Sequence, residues 1–157
     1  MSAPSRRFAL DTSCMVAAVC PWHEHHEAAA NEIVRRLDRG ERVATPAPAL
    51  VEAYAVLTRL PQPHRLAPVD AWAVLKGNFV DRATVATLDG ATYVAMLDGA
   101  VASGIAGGRT YDVVIAECAR LAGASSLLTF NGRHFHPAPA GVEVVTPGSS
   151  TNVPGRP

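Results

Sequence analysis

The chain has 157 residues, 48% of them hydrophobic, which is enough to form the core of one globular domain. Its 14 basic and 14 acidic residues cancel, so no overall field would attract nucleic acid, and any RNA binding must use a local patch or a bound metal. Three cysteines (Cys14, Cys20 and Cys118) lie in apolar settings without metal-ligand spacing and are predicted to be reduced thiols of a cytoplasmic protein. Asp11 interrupts the first apolar stretch, so neither a signal peptide nor a membrane span is predicted.

Short strand-like runs alternate with helical patterns along the chain. The strands are predicted at 7–10, 42–45, 83–87, 126–130 and 142–146, and the helices at 12–17, 24–39, 47–60, 68–78, 89–103 and 110–122. This alternation predicts an α/β fold with a mainly parallel sheet. Residues 1–146 are expected to form a single domain, and the Gly-, Ser- and Pro-containing residues 147–157 a disordered tail.

Asp11 stands directly after the apolar run Phe8-Ala9-Leu10 and before the hydroxyl residues Thr12 and Ser13. In an open parallel sheet, ligands bind outside the carboxyl ends of the strands. A carboxylate beside two hydroxyls at that position has no structural task that a smaller residue could not perform. Asp11 is therefore a candidate ligand for a hard cation or a partner of a phosphate.

Glu52 lies in a helical segment that Pro46 or Pro48 can begin and Pro61 ends. By itself it could be an ordinary solvated carboxylate. The segment carries almost no other charge, however, so we expect that Glu52 does not lie on an ordinary solvated helix face.

Asp112 and Asn131 are two further candidates. Thr110 is predicted to cap the helix at 110–122, which puts Asp112 in its first turn, where an acid could simply complement the helix dipole. Asn131 follows the strand at 126–130 and so emerges at a strand's carboxyl end, as Asp11 does. Asn131-Gly132 is also a common turn dipeptide, so a turn is the alternative.

Five histidines raise the alternative of a zinc site. His23, His25 and His26 are close in sequence, and His134 and His136 could complete the ligands. The first three lead directly into a helical pattern, so an exposed helix start is the favoured interpretation.

Four motifs in this order resemble the PIN-domain ribonucleases, most of all the VapC-like toxins of bacterial toxin–antitoxin pairs. They are Asp-Thr-Ser after the first strand, Val-Glu-Ala-Tyr on the Pro-started helix, Tyr-Asp-Val-Val-Ile-Ala, and Leu-Leu-Thr-Phe-Asn-Gly-Arg-His-Phe. The resemblance covers roughly residues 6–146. It implies a three-layer sandwich with a parallel sheet of about five strands, an acidic pocket for Mg²⁺ or Mn²⁺, endonucleolytic RNA cleavage, a homodimer, and inhibition by a co-expressed antitoxin.

The family's site residues match Asp11, Ser13, Glu52, Asp112 and Asn131 of this chain. Asp11 and Asp112 would be direct or water-mediated metal ligands, Glu52 would orient metal-bound water, and Ser13 would donate a hydrogen bond to a carboxylate or phosphate oxygen. The family often has Asp at the last position. Asn131 removes one negative charge, which leaves a first metal site intact and puts a second, tightly held metal in doubt.

Two other functions are consistent with parts of the pattern. A haloacid-dehalogenase-like phosphatase also has an Asp after its first strand, but it needs a second Asp two residues later, where Ser13 stands. A catalytically weak PIN-like module that only binds RNA or protein would fit Asn131 and the neutral net charge.

Overall fold

The computed structural model describes residues 4–149, in which five parallel strands form one sheet of order β3-β2-β1-β4-β5. The strands are β1 (Arg7–Leu10), β2 (Arg42–Pro46), β3 (Thr84–Ala86), β4 (Ala124–Leu128) and β5 (Glu143–Val145). The α-helices are α1 (Thr12–Val19), α2 (His26–Asp38), α3 (Ala47–Arg59), α4 (Pro68–Phe79), α5 (Gly90–Ser103) and α6 (Arg109–Leu121). The predicted parallel α/β fold with helices on both faces of the sheet is confirmed.

The central strand β1 is the middle of the core. Phe8, Ala9 and Leu10 are fully buried between β2 and β4 and beneath the helices. Helix α6 packs against β2 and β4, while α3 packs against α1 and α4. This burial on both faces explains why β1 is a continuous apolar run and does not alternate with polar residues.

The register of the central strands aligns their carboxyl ends. Leu10 of β1 is opposite Leu128 of β4, and the backbone N–H of Asp11 donates to the carbonyl of Leu128 at 3.0 Å. The residues that follow these two strands therefore emerge side by side at one edge of the sheet.

Two local predictions were wrong. The strand expected at 126–130 is β4, Ala124–Leu128, so it ends two residues earlier than predicted. Thr110 does not cap α6, because the helix already begins at Arg109 and the Thr110 N–H donates to the carbonyl of Gly107. Gly107 has a φ of +62°, a left-handed conformation that glycine adopts without strain, and this tight turn begins the helix without a side-chain cap.

The described residues include the first three of the predicted tail, 147–149. Pro147 is buried, whereas residues 150–157 of the predicted tail lie outside the described residues. Cys14, Cys20 and Cys118 are buried and unpaired. Across residues 4–149, every helix is too short or too polar to cross a bilayer.

A buried ion-pair network fastens α2 to the sheet. The Arg36 guanidinium donates to Glu32 at 2.6 Å, to Glu41 at 3.0 Å and to the Ser126 hydroxyl at 3.2 Å, and it lies 5.6 Å from the centre of the Phe8 ring. Only about a tenth of the Arg36 and Glu32 side chains is exposed. Although burial raises the pKa of Glu32, hydrogen bonds from two arginines hold it below the usual range.

We predict that Arg36→Met lowers the free energy of unfolding by about 3 kcal/mol, because it leaves buried carboxylates without their main partner. Arg35 is the matched control, since it also binds Glu32 but half of its side chain is exposed. Arg35→Met should cost less than about 1 kcal/mol. Urea unfolding of the three proteins measures the difference, and equal losses in both variants would contradict a structural role for the buried network.

Candidate active site

All five predicted site residues line one cleft, of about 250 Å³, at the carboxyl edge of the sheet. Asp11 and Ser13 come from the end of β1 and the start of α1, Glu52 from α3, Asp112 from the first turn of α6, and Asn131 from the loop after β4. Thr12, Val16, Val56 and Ile115 complete the lining. The fold thus brings together carboxylates that are separated by up to about a hundred residues in sequence.

Asp11 is the most buried carboxylate of the cleft, with 4% of its surface exposed. Its Oδ1 accepts hydrogen bonds from the Ser13 hydroxyl at 2.6 Å and the Cys14 N–H at 3.0 Å, and its Oδ2 accepts from the Thr129 hydroxyl at 2.5 Å. The bond from Cys14 makes Asp11 the N-cap of α1, so the expectation that Asp11 has no structural task was wrong. One acceptor position on Oδ2 remains, since a carboxylate offers about four.

Two hydroxyls connect Asp11 to the loop after β4. Ser13 donates to Asp11 and accepts from the Phe130 N–H at 3.0 Å, while Thr129 donates to Asp11 and accepts from the Asn131 N–H at 2.8 Å. Each hydroxyl has a single proton, which it donates to Asp11. Asp11 must therefore accept a hydrogen bond at both of its carboxylate oxygens. Asp11 thereby positions the loop that carries Asn131.

Glu52 lies at the mouth of the cleft. The residue is exposed, and the Thr12 hydroxyl donates to its Oε2 at 2.9 Å. This contact joins the start of α1 to α3 and holds the Glu52 carboxylate at the cleft. The expectation that Glu52 would not lie on a solvated face was wrong, because the residue is exposed.

Burial raises the pKa of Asp112, and the nearby Glu52 raises it further. His134 and Arg109 oppose this shift, and the His134 Nδ1 lies 3.3 Å from Asp112 Oδ2. Burial also raises the pKa of Asp11 against the lowering effect of its three hydrogen bonds, and the charge of Asp112 adds to the increase. In the protein without a bound cation, the cleft therefore disfavours full ionisation.

The donor set fits a hard divalent cation. The cleft provides the carboxylates of Asp11, Glu52 and Asp112 and the amide oxygen of Asn131, which are the ligand types that Mg²⁺ prefers. Within residues 4–149, no group of three or more His, Cys, Asp or Glu side chains is placed so that it could hold a metal ion together. Mg²⁺ commonly uses only one or two carboxylates together with water and phosphate, so an open acidic cleft is compatible with it.

The histidine cluster has other contacts. The His25 ring stacks on the Phe130 ring with centroids 4.4 Å apart, and His26 Nδ1 lies 2.9 Å from the carbonyl of Ala17. Helix α2 begins at His26, as the helix-start interpretation expected, but His25 and His26 are only partly exposed.

Sequence reasoning missed the roles of Thr129, Thr12 and His134. Thr129 was hidden by the predicted strand 126–130, which placed it inside β4 instead of at the sheet edge. Thr12 was noted only as a hydroxyl beside Asp11, and His134 only as a potential zinc ligand. Their contacts with Glu52 and Asp112 join residues 40 and 22 positions apart, for which no local pattern exists.

Comparisons with known proteins agree with this architecture. The PIN domain family model matches residues 8–139. Ribonuclease VapC40 of Mycobacterium tuberculosis is 43% identical over 117 residues, which are 74% of this chain and 81% of the relative.

Solved structures share the fold at low sequence identity. The structure of M. tuberculosis VapC20, a Sarcin-Ricin loop cleaving toxin, has a TM-score of 0.64 at 18% identity and covers 86% of this chain and 98% of its own. VapBC2 from Rickettsia felis, bound to a DNA fragment from its promoter, has a TM-score of 0.63 at 18% identity, covering 89% and 98%. VapBC-1 from nontypeable Haemophilus influenzae has a TM-score of 0.59 at 16% identity, covering 89% and 97%. The chain belongs to the PIN-domain family and is a VapC-like member of it.

Proposed function

We propose that the protein is a divalent-metal-dependent endoribonuclease and the toxin of a cytoplasmic toxin–antitoxin pair. The observation that carries this proposal is the cleft itself, in which a PIN fold gathers three carboxylates and one amide at the carboxyl edge of its sheet. The 43% identity to a curated VapC ribonuclease supports RNA as the substrate class. A haloacid-dehalogenase-like phosphatase has no comparable support.

The residues have distinct roles in this proposal. Asp11 and Asp112 hold Mg²⁺ or Mn²⁺ directly or through water, and Glu52, oriented by Thr12, positions a water molecule at the cleft mouth. Ser13 keeps Asp11 in place and is a positioning residue. A bound divalent ion supplies Lewis acidity, which lowers the pKa of a nucleophilic water and neutralises charge that develops on the scissile phosphate.

Asn131 distinguishes this cleft from one with four acids. An amide oxygen can ligate a hard cation but contributes no negative charge. A pair of closely spaced divalent ions needs enough negative charge to offset their repulsion. We therefore expect one ion to bind firmly and a second to bind weakly, or only together with RNA phosphate.

We propose that the antitoxin covers the surface beside the cleft. A groove of about 520 Å³ shares Glu52 and Ile115 with the acidic cleft, and its other walls include the exposed apolar side chains of Val51, Tyr93 and Tyr111. Exposed apolar patches of this kind mark interaction sites. A partner segment with an apolar stretch next to a basic residue would complement both the groove and the carboxylates.

Self-association is a second use of the apolar surface. Val51 also borders a neighbouring groove of about 590 Å³ between α3 and α4, where Val69 and Trp72 are exposed. We propose that this α3–α4 groove contributes to a homodimer, which light scattering of the purified chain would reveal as twice the monomer mass.

We predict that Asp11→Asn, Glu52→Gln and Asp112→Asn each reduce metal-dependent RNA cleavage about a hundredfold or more, because each removes charge from the cation site. Asn131→Ala should be milder, about tenfold, since it removes a supporting neutral ligand. Cleavage of a panel of structured RNAs over a range of Mg²⁺ concentrations measures the series, with circular dichroism as the folding control.

If two of the three acid variants kept near wild-type cleavage at saturating Mg²⁺, the shared-site proposal would fail. A wild-type protein that binds RNA without cutting it at any Mg²⁺ or Mn²⁺ concentration would favour the alternative of a binding module.

We predict that Asp112→Asn raises the melting temperature by a few degrees in chelator at mildly alkaline pH. The pKa of Asp112 is raised above its ordinary value of 3.8, so its ionised form opposes folding. The resulting loss of folding stability develops as the pH rises from 3.8 through the raised pKa of the folded protein. It is absent at lower pH, where Asp112 is protonated in both the folded and the unfolded protein. The gain should therefore shrink as the pH is lowered, and a drop in melting temperature at alkaline pH would indicate a structural role in α6.

We predict that Val51→Asp prevents the chain from co-purifying with the small protein encoded beside its gene, because a charge would enter the apolar groove. Val34→Asp is the matched control, since Val34 is also an exposed valine on a helix but lies on α2 and does not line the groove. Co-expression followed by affinity purification and mass spectrometry gives the result. Recovery of the partner with both variants would exclude this groove, and its absence with the wild type would count against an antitoxin.

A further inference from the structure

Five rings form a continuous row that begins beside the cleft. We define this aromatic strip as Phe130, His25, His23, Trp22 and His64. Its consecutive ring centroids are 4.4, 5.7, 5.8 and 4.0 Å apart, and the first and last pairs are stacked with interplanar angles of 14° and 25°. The strip joins three loops, which follow β4, α1 and α3.

The inner end of the strip is tied to the acidic cleft. Phe130 lies between Thr129 and Asn131, and its N–H donates to the Ser13 hydroxyl that in turn donates to Asp11. The next three rings belong to the loop between α1 and α2, and His64 belongs to the loop after α3. A chain whose phosphate occupied the cleft could therefore pass its neighbouring nucleotides over these rings.

The exposure of the rings distinguishes the strip from an ordinary packing cluster. Trp22 is 46% exposed, and 45% of the His25 side chain is exposed. Tryptophan usually buries most of its large apolar surface, and an exposed one is typical of a binding surface. His64, which stacks on Trp22, is also exposed.

The charge around the strip favours bases over phosphates as its ligand. The Glu24 carboxylate lies 3.6 Å from the His25 ring nitrogen and is 82% exposed, so it would repel a phosphate group. Burial and the neighbouring His25 lower the pKa of His23, which reduces its positive charge. Flat, weakly charged rings bind nucleobases by stacking, and unpaired bases of single-stranded RNA are the form in which proteins stack them.

We propose that the aromatic strip is a stacking platform for unpaired bases of the RNA substrate, adjacent to the scissile phosphate. This proposal rests on the proposed ribonuclease function and adds a substrate form, an unstacked single strand or loop, together with the residues that bind it. Trp22 is the main base-contacting residue of this proposal, because it has the largest exposed ring of the strip.

The two tryptophans of the chain allow a direct test. Trp72→Phe leaves Trp22 as the only tryptophan, and Trp22→Phe leaves Trp72, which is 43% exposed on α4 and is not one of the five rings of the strip. Both are made in an Asp112→Asn background with Mg²⁺ present, so that the RNA stays intact. Unlabelled short unstructured RNA is titrated against tryptophan emission, and filter binding measures RNA binding independently.

We expect RNA to quench the emission of Trp22 and leave that of Trp72 unchanged, whereas an abasic ribose-phosphate chain should not quench Trp22. In parallel, Trp22→Leu should weaken RNA binding about tenfold, while Trp22→Tyr, which keeps an aromatic ring, should not. The single-tryptophan measurement keeps the Trp22 ring in place, so it remains valid even if Trp22→Leu fails to fold.

RNA that binds on the filter without quenching Trp22 would overturn the strip and leave the ribonuclease proposal standing. RNA that binds to neither protein would overturn both. Quenching by a co-purified antitoxin but not by RNA would assign the strip to a protein partner and overturn its role in RNA binding.

Discussion

The buried carboxylate of Asp11 is the constraint on which the cleft depends. It ends the central strand, caps α1, and accepts from the hydroxyls of Ser13 and Thr129, which in turn hold the backbone of the loop after β4. One side chain thus determines the relative positions of two strand ends and a helix start. Because each hydroxyl can donate only once, the arrangement requires an acceptor at both oxygens of residue 11, and a carboxylate is the side chain that provides it.

The same carboxylate lowers the stability of the folded protein when no cation is bound in the cleft. Burial raises the pKa of both Asp11 and Asp112. Repulsion from Asp112 adds to the increase at Asp11, and repulsion from Glu52 adds to it at Asp112. Elsewhere the chain handles buried charge differently, since Arg36 offsets Glu32 within hydrogen-bonding distance. Although the net charge of the chain is zero, its buried carboxylates are therefore of two kinds. Glu32 is paired with arginine, whereas the carboxylates of the cleft are left for a ligand to neutralise. Functional sites commonly break the rules of stability in this way.

Most of the fold and the candidate carboxylates could be predicted from local patterns. An apolar run buried on both faces identifies β1, and an acid directly after it must emerge at the carboxyl edge of a parallel sheet. Boundaries were less predictable. Thr129 has the β-branched shape of a strand residue and its N–H still donates to the carbonyl of Val145, yet β4 ends one residue before it. Thr110 resembles a helix cap, but the Gly107 turn begins α6 without one.

The sequence by itself determined the order of strands and helices, and with it which acids emerge at one edge, because these follow from hydrophobic periodicity and chain connectivity. Only the tertiary structure decided which side chains meet across that edge. Residues from different elements meet in three places: the contact of His134 with Asp112, the stacking of Trp22 on His64, and the grooves beside Val51. Their distances depend on how the helices and loops pack on the sheet, and that packing is a property of the whole core, which no local pattern contains.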